Sequence, residues 1–177
     1  KMSQGEYIQW FDSDDLMDKD FLIFKIKNIA ENDILITSGR KKGANTDYID
    51  LRIKFDKEYS LYKELATYNS EILTPTLFFK KKLFKKIKLF NENINRGQET
   101  EFFTRFFFDN NLKYNFINKK LFTYRLQPDS KSSQLSETFL NSRMKYFLDN
   151  LDRSLILKDN ELFIRFYRKG MSTLFEF

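Results

Sequence analysis

The stretch from Gly5 to Met17 reads Gly-Glu-Tyr-Ile-Gln-Trp-Phe-Asp-Ser-Asp-Asp-Leu-Met and takes the chain from a short apolar run straight into three carboxylates. Tyr7, Ile8, Trp10 and Phe11 are β-branched or aromatic, which suits a strand buried on both faces of a parallel sheet. Such a strand carries Asp12 and Asp14 to its carboxyl end, the edge at which open α/β sheets bind ligands. Two carboxylates one residue apart there offer hard oxygen ligands to a divalent cation. The same Asp12 to Asp15 run also suits a plain strand-to-helix turn, because Asp and Ser bond their own backbone.

Composition narrows the chemistry. Hydrophobic residues make up 41% and charged residues 32% of 177 residues, enough for one globular domain with a sizeable core and too apolar for a disordered chain. Lys and Arg exceed Asp and Glu by 31 − 25 = 6, a basic balance that favours polyanionic ligands such as nucleotide diphosphates, nucleic acid or anionic lipid. There is no cysteine, so no disulfide framework forms. There is no histidine either, which removes the commonest general base and transition-metal ligand and leaves carboxylates, lysines and tyrosines to do any catalysis. No apolar run reaches the roughly 18 residues of a membrane helix, and the amino terminus lacks a signal-peptide pattern, so the expected location is cytoplasmic.

Further along, Asp18 is placed to cap a helix over Lys19 to Glu31, with Phe21, Leu22, Phe24 or Lys25, Ile26 and Ile29 as its apolar stripe. Ile34 to Thr37 reads as a strand, Gly39 to Asn45 as a basic loop, and Tyr48 to Phe55 as an exposed antiparallel strand of period two. Lys57 to Asn69 suits a helix, and Leu73 to Phe79 an extended segment around Pro75. Lys80 to Leu89 holds six lysines around Leu83, Phe84 and Ile87. It reads as a short helix packed on the sheet with solvated lysines, and Lys80 to Lys88 also offers a peripheral contact to a membrane surface. A helix opens at Gln98 and runs to Asp109, where Glu99 and Glu101 favour the helix start electrostatically. Lys113 to Ile117 and Leu121 to Tyr124 read as two short strands around Asn118-Lys119-Lys120, and two helical stripes fill the chain beyond Gln134.

Three of these segments, in order, resemble signatures of the GT-A glycosyltransferases of family 2. Gly5 to Asp15 resembles the family's Asp-x-Asp strand, Gly97-Gln98-Glu99-Thr100-Glu101-Phe102 with Arg105 resembles its Gly-Glu-Asp-x-Glu-Phe segment, and Tyr124 to Ser132 resembles its Tyr-Arg-x-His-x-x-Ser-x-Ser ending. Gln98 departs from an acid and Gln127 from a histidine. The resemblance implies an α/β fold, the carboxy-terminal part of a GT-A, Rossmann-like mixed sheet flanked by helices. Residues 1–133 would form the partial catalytic domain and 134–177 a helical appendage. It implies transfer of a sugar, with inversion, from a nucleotide-diphospho-sugar donor to a glycan or lipid-linked acceptor hydroxyl, in bacterial surface polysaccharide or lipopolysaccharide synthesis. Asp14 with Asp12 would hold Mn²⁺ or Mg²⁺, Arg125 and Ser130 would contact the donor, and Glu99 would act as base, with Glu101 the other candidate. The family's Asp-x-Asp strand follows several β-α units that carry the base and ribose contacts, so the resemblance also implies that this half is missing, with weak donor affinity, an inactive fragment as one outcome, and a bare sheet edge inviting homodimers.

Two other readings compete. A phosphatase of the haloacid-dehalogenase type also feeds an apolar strand into Asp-x-Asp, but continues with Thr where this chain has Asp15-Leu16. A non-enzymatic nucleic-acid binder would use Lys80 to Lys88 with Phe78, Phe79 and Phe84. The spread of charge along the chain favours a protein that binds no nucleic acid.

Overall fold

The computed structural model describes residues 3–55, 60–85, 87, 89–94, 96–109, 111–127 and 136–175. The chain divides into two compact units: Lys1–Leu89 with Asp109–Pro128, and Phe90–Phe108 with Asp129–Phe177. The helix bearing Glu99 and Glu101 groups with the carboxy-terminal helices.

The first unit is a mixed α/β layer. Its strands are β1 (Tyr7–Ile8), β2 (Leu16–Met17), β3 (Ile34–Lys42), β4 (Ile49–Asp50), β5 (Leu77–Lys80) and β6 (Tyr114–Arg125), with helices α1 (Phe21–Ile29) and α2 (Leu61–Ala66). The sheet runs β1-β5-β3-β6-β2, with β4 paired to β3. Only β3 and β6 are parallel, a pairing that requires the long crossover between them. Ile34, Leu35, Ile36 and Thr37 are buried to a residue, as a strand covered on both faces demands of a continuous apolar run.

Several expectations are corrected here. The segment from Tyr7 to Phe11 is no parallel strand: only Tyr7 and Ile8 pair, antiparallel to Lys80 and Phe79, and both are half-buried. The doubly covered run is β3, which also absorbs the start of the expected loop by extending to Lys42. The expected strand from Tyr48 to Phe55 shrinks to Ile49–Asp50, because both residues face solvent and gain nothing from alternation. The two strands expected on either side of Asn118-Lys119-Lys120 are one twelve-residue strand, β6, and the turn-like residues mark irregularities in its register. Asp18 does not cap α1. The helix starts two residues later, while the Asp18 carboxylate pairs with Arg40.

One of those irregularities shapes the core. Ser38 pairs with Lys120 and Arg40 with Thr123, so two steps along β3 match three along β6. The extra length folds the Phe122 ring over Gly39, where an added Cβ would stand 2.4 Å from the ring. Phe122, Phe21, Leu51 and Leu121 form one buried cluster, with Phe11 set edge-on to Phe21 at 5.3 Å.

The second unit holds α3 (Gln98–Asp109), α4 (Glu137–Ile156) and α5 (Asn160–Leu174). α3 buries Phe102, Phe103, Phe106 and Phe107 together with Glu101. α4 and α5 form a helical hairpin with a side-chain cap at each start: Ser136 accepts from the Phe139 N–H and Asp159 from the Leu162 N–H. These are the two stripes expected beyond Gln134. No helix among the described residues is long and apolar enough to cross a membrane.

Candidate functional site

The Asp12 to Asp15 segment is a tight turn, closed by the Asp15 N–H on the Asp12 carbonyl at 3.2 Å. Asp12, Ser13 and Asp14 are exposed, whereas Asp15 is 7% exposed. The alternation has a physical cause. Immediately after the turn, β2 pairs Leu16 with Thr123 and Met17 with Phe122, which draws Asp15 down against β6 and leaves its neighbours facing out.

Asp15 is the tie. Its Oδ1 accepts the backbone N–H of Arg125 at 3.0 Å, and the Arg125 Nε donates in turn to the Asp14 carbonyl. Farther on, the Asp18 N–H donates to the Leu121 carbonyl at 3.0 Å, and Arg40 makes bonds of 3.1 and 3.3 Å to both Asp18 oxygens while its Nε reaches the Thr123 hydroxyl at 3.0 Å. The turn is therefore laced to the carboxyl end of β6 over its whole length. Burial pushes the Asp15 carboxyl up, the Arg125 N–H opposes the rise, and the Asp14 and Asp12 charges add to it. The Tyr124 hydroxyl is raised as well, chiefly by burial and then by the same three carboxylates.

The approach to the turn is pinned from beneath by a buried cation. Lys25 lies on the inner face of α1 and is fully buried; its Nζ donates to Gln9 Oε1 at 2.8 Å and to the Pro75 carbonyl at 2.5 Å, and stands 4.1 Å from the Phe21 ring centre. Burial holds its pKa well below the ordinary amine value. Trp10 meets Phe79 and Phe84 edge-on at 5.5 and 5.3 Å. The Gln9 to Phe11 segment is thus held by side chains where strand pairing is absent.

Asp12 and Asp14 present hard oxygen donors of the kind Mg²⁺ and Mn²⁺ prefer. Beneath them, Asp15 Oδ2 is buried without a hydrogen-bond partner. Among the described residues no group of three or more acidic side chains converges on a metal-sized site. That suits a cation held by one or two carboxylates and completed by ligand phosphates and water, and it does not suit a closed protein cage.

The other expected residues fall as follows. Arg125 is exposed at the end of β6, with its Nε engaged on the Asp14 carbonyl. Ser130 lies outside the described residues, as do Lys86 and Lys88. Glu99 and Glu101 sit in the first turn of α3 but differ sharply. Glu101 is 4% exposed and grips Arg105 through two bonds of 2.7 and 3.2 Å, while Glu99 faces solvent. The lysine segment is a 3₁₀ turn over Lys81–Lys85. Lys80 Nζ bonds the Ala30 carbonyl at 2.9 Å, Lys81 Nζ the Ser3 carbonyl, and Lys82 sits 3.6 Å from Asp33. Phe78 and Phe79 are core residues, so they offer no rings on which bases could stack.

Sequence reasoning missed two supports of the turn. Nothing in Asp-Ser-Asp-Asp distinguishes Asp15 from its neighbours, since the difference arises from pairing with residues more than a hundred positions away. Lys25 did leave a trace, as a lysine standing at a core position of the α1 stripe.

The fold has counterparts among solved structures. It is shared with S. aureus TarS: the TarS 1-349 structure with UDP-GlcNAc superposes with a TM-score of 0.62 at 20% identity, over 96% of this chain and 50% of that one. TarS 1-349 alone gives 0.59 at 20% identity over 97% and 48%, and full TarS 0.53 at 21% identity over 84% and 25%. The chain spans about half the length of the TarS 1-349 structures it matches. No family model and no curated protein matches the sequence.

Proposed function

We propose that the chain is part of a GT-A, family 2 glycosyltransferase that takes a UDP-sugar and passes the sugar, with inversion, to a hydroxyl of a glycan or lipid-linked acceptor in bacterial surface polysaccharide synthesis. The observation that carries this reading is the exposed Asp12 and Asp14 pair on a turn locked to β6, within a fold shared with a glycosyltransferase seen bound to UDP-GlcNAc and to UDP. At neutral pH two adjacent carboxylates would repel a diphosphate unless a cation stood between them. Asp14, with Asp12, would hold Mn²⁺ or Mg²⁺, which when bound supplies Lewis-acid neutralisation of the departing UDP.

The remaining steps belong to side chains. Arg125, anchored through Nε, keeps its terminal N–H groups for a phosphate oxygen. Glu99 takes the proton of the acceptor hydroxyl as that oxygen bonds to the anomeric carbon and the bond to UDP breaks, a role typically contributing about 10² to 10⁴-fold. Glu99 is preferred to Glu101 because the Glu101 carboxylate is already spent on Arg105. A single base with no covalent carboxylate gives direct displacement and hence inversion. The phosphatase alternative is disfavoured because Asp12 stands in a turn after an irregular segment, where that chemistry needs a strand to aim its nucleophile.

The test is calorimetric titration of UDP and UDP-GlcNAc with and without Mn²⁺, followed by UDP release from a panel of UDP-sugars. Binding that needs Mn²⁺ and disappears in Asp14→Asn is expected. Nucleotide binding of equal strength in Asp12→Asn, Asp14→Asn and the parent chain would remove the proposal.

A further inference from the structure

Helix α5 has two apolar faces, and among the described residues only one is covered. Leu162, Phe166 and Thr173 are buried on the inner side, as expected for half of a helical hairpin. On the outer side Ile164, Tyr167, Met171 and Leu174 are 48%, 52%, 37% and 52% exposed, and Phe175, just past the helix, is 84% exposed. Their spacing of three, four and three residues makes a continuous stripe along the axis. At 100° per residue Arg168, Arg165 and Lys169 follow one another around the next part of the helix, so the basic arc borders the apolar one. With Ile164, Glu161 and Ser172 they line a shallow, open depression along the surface of α5.

We propose that α5 lies on an anionic lipid bilayer, with Ile164, Tyr167, Met171 and Leu174 entering the boundary between head groups and acyl chains and Arg165, Arg168 and Lys169 meeting lipid phosphates. An exposed apolar stripe bordered by cations is the arrangement that interfacial helices use, and Tyr suits the head-group level. Charge decides the occupant. A second copy packed helix to helix would bring the same three cations to the interface against Glu161, the one acidic residue within α5, whereas an anionic bilayer is negative everywhere the helix touches. The Lys80 to Lys88 segment is a poorer candidate, since Lys80, Lys81 and Lys82 are engaged within the chain and Phe84 is packed on Trp10 and Phe79. The inference stands apart from the chemistry proposed for the acidic turn.

The experiment is co-sedimentation of the full chain with vesicles of phosphatidylcholine alone and of phosphatidylcholine mixed equally with phosphatidylglycerol, at low and high salt. Two variants accompany it: R165Q/R168Q/K169Q, and I164S/M171S, all at exposed positions and checked for folding by thermal melting. Binding to the mixed vesicles is expected, weakened by salt. The triple variant should partition roughly a hundredfold less, since each basic side chain at an anionic surface contributes about a fivefold factor. The I164S/M171S variant should lose the part of binding that survives high salt. The proposal fails if the chain ignores phosphatidylglycerol, or if both variants bind as the parent does. It also fails if light scattering shows a dimer that I164S/M171S dissolves, which would give the face to a second copy.

Discussion

Replacing Gly39 with alanine tests the packing on which the acidic turn rests. The new Cβ would meet Phe122 Cε1 at 2.4 Å, Cζ at 2.5 Å and Cδ1 at 2.8 Å, all well inside an ordinary carbon contact of about 3.5 to 4.0 Å. The ring cannot step aside cheaply: Phe122 is fully buried, with Phe11 and Phe21 each edge-on at 6.4 Å. Nor can β3 retreat freely, because the Gly39 carbonyl accepts the Leu51 N–H at 3.0 Å and Arg40 is paired with Thr123. Overpacking of this kind costs about 1 to 3 kcal/mol. Urea unfolding of Gly39→Ala, Phe122→Leu and the double variant forms a complete cycle. Leucine lacks the clashing ring atoms, so the double variant should be at least about 1 kcal/mol more stable than the sum of the single losses. A loss below about 0.5 kcal/mol for Gly39→Ala, or strict additivity, would refute the account of the bulge.

Other perturbations separate support from chemistry. Asp15→Ala removes the acceptor of the Arg125 N–H in a buried setting and should lower stability by about 1 to 3 kcal/mol, while Asp15→Asn, which keeps an acceptor oxygen, should unfold much nearer the parent in urea. Glu99→Gln should leave stability within about 0.5 kcal/mol and cut turnover, whereas Glu101→Gln should shift the melt because Arg105 loses its partner. Lys25 titrates in the folded chain well below 10.5, so the unfolded chain binds the extra proton between those two values and stability rises with pH across that window. The slope of parent stability minus that of Lys25→Met should be positive there, approaching about 1.4 kcal/mol per pH unit; a flat difference would mean that Lys25 stays charged.

Local signals read well where they were self-sufficient. The α3 start at Gln98, the two carboxy-terminal helices and the buried Ile34 to Thr37 core were legible because periodicity, caps and continuous apolarity act over a few residues. What misled was anything fixed from afar. Tyr7 to Phe11 has the residues of a buried strand yet pairs over only two positions, and beyond them Gln9 and Trp10 are held by side-chain contacts to Lys25, Phe79 and Phe84. Asn118-Lys119 looks like a turn and falls where the β3–β6 register shifts, while Ile117 and Lys120 on either side stay paired with β3, so the strand runs on. At the turn itself the sequence singled out Asp12 and Asp14 and was silent on which carboxylate is buried, because that follows from β6 passing beneath.

The bonds that set the turn join residues 110 and 111 positions apart, so the carboxylates gain their shape only after Arg125 has found its place beside them. Loop closure of that span is costly in entropy and slow, and a nascent chain halted before Arg125 would carry these acids on an unstructured tether. The acidic turn would then take its final shape with the last strand and not with the appearance of the aspartates themselves.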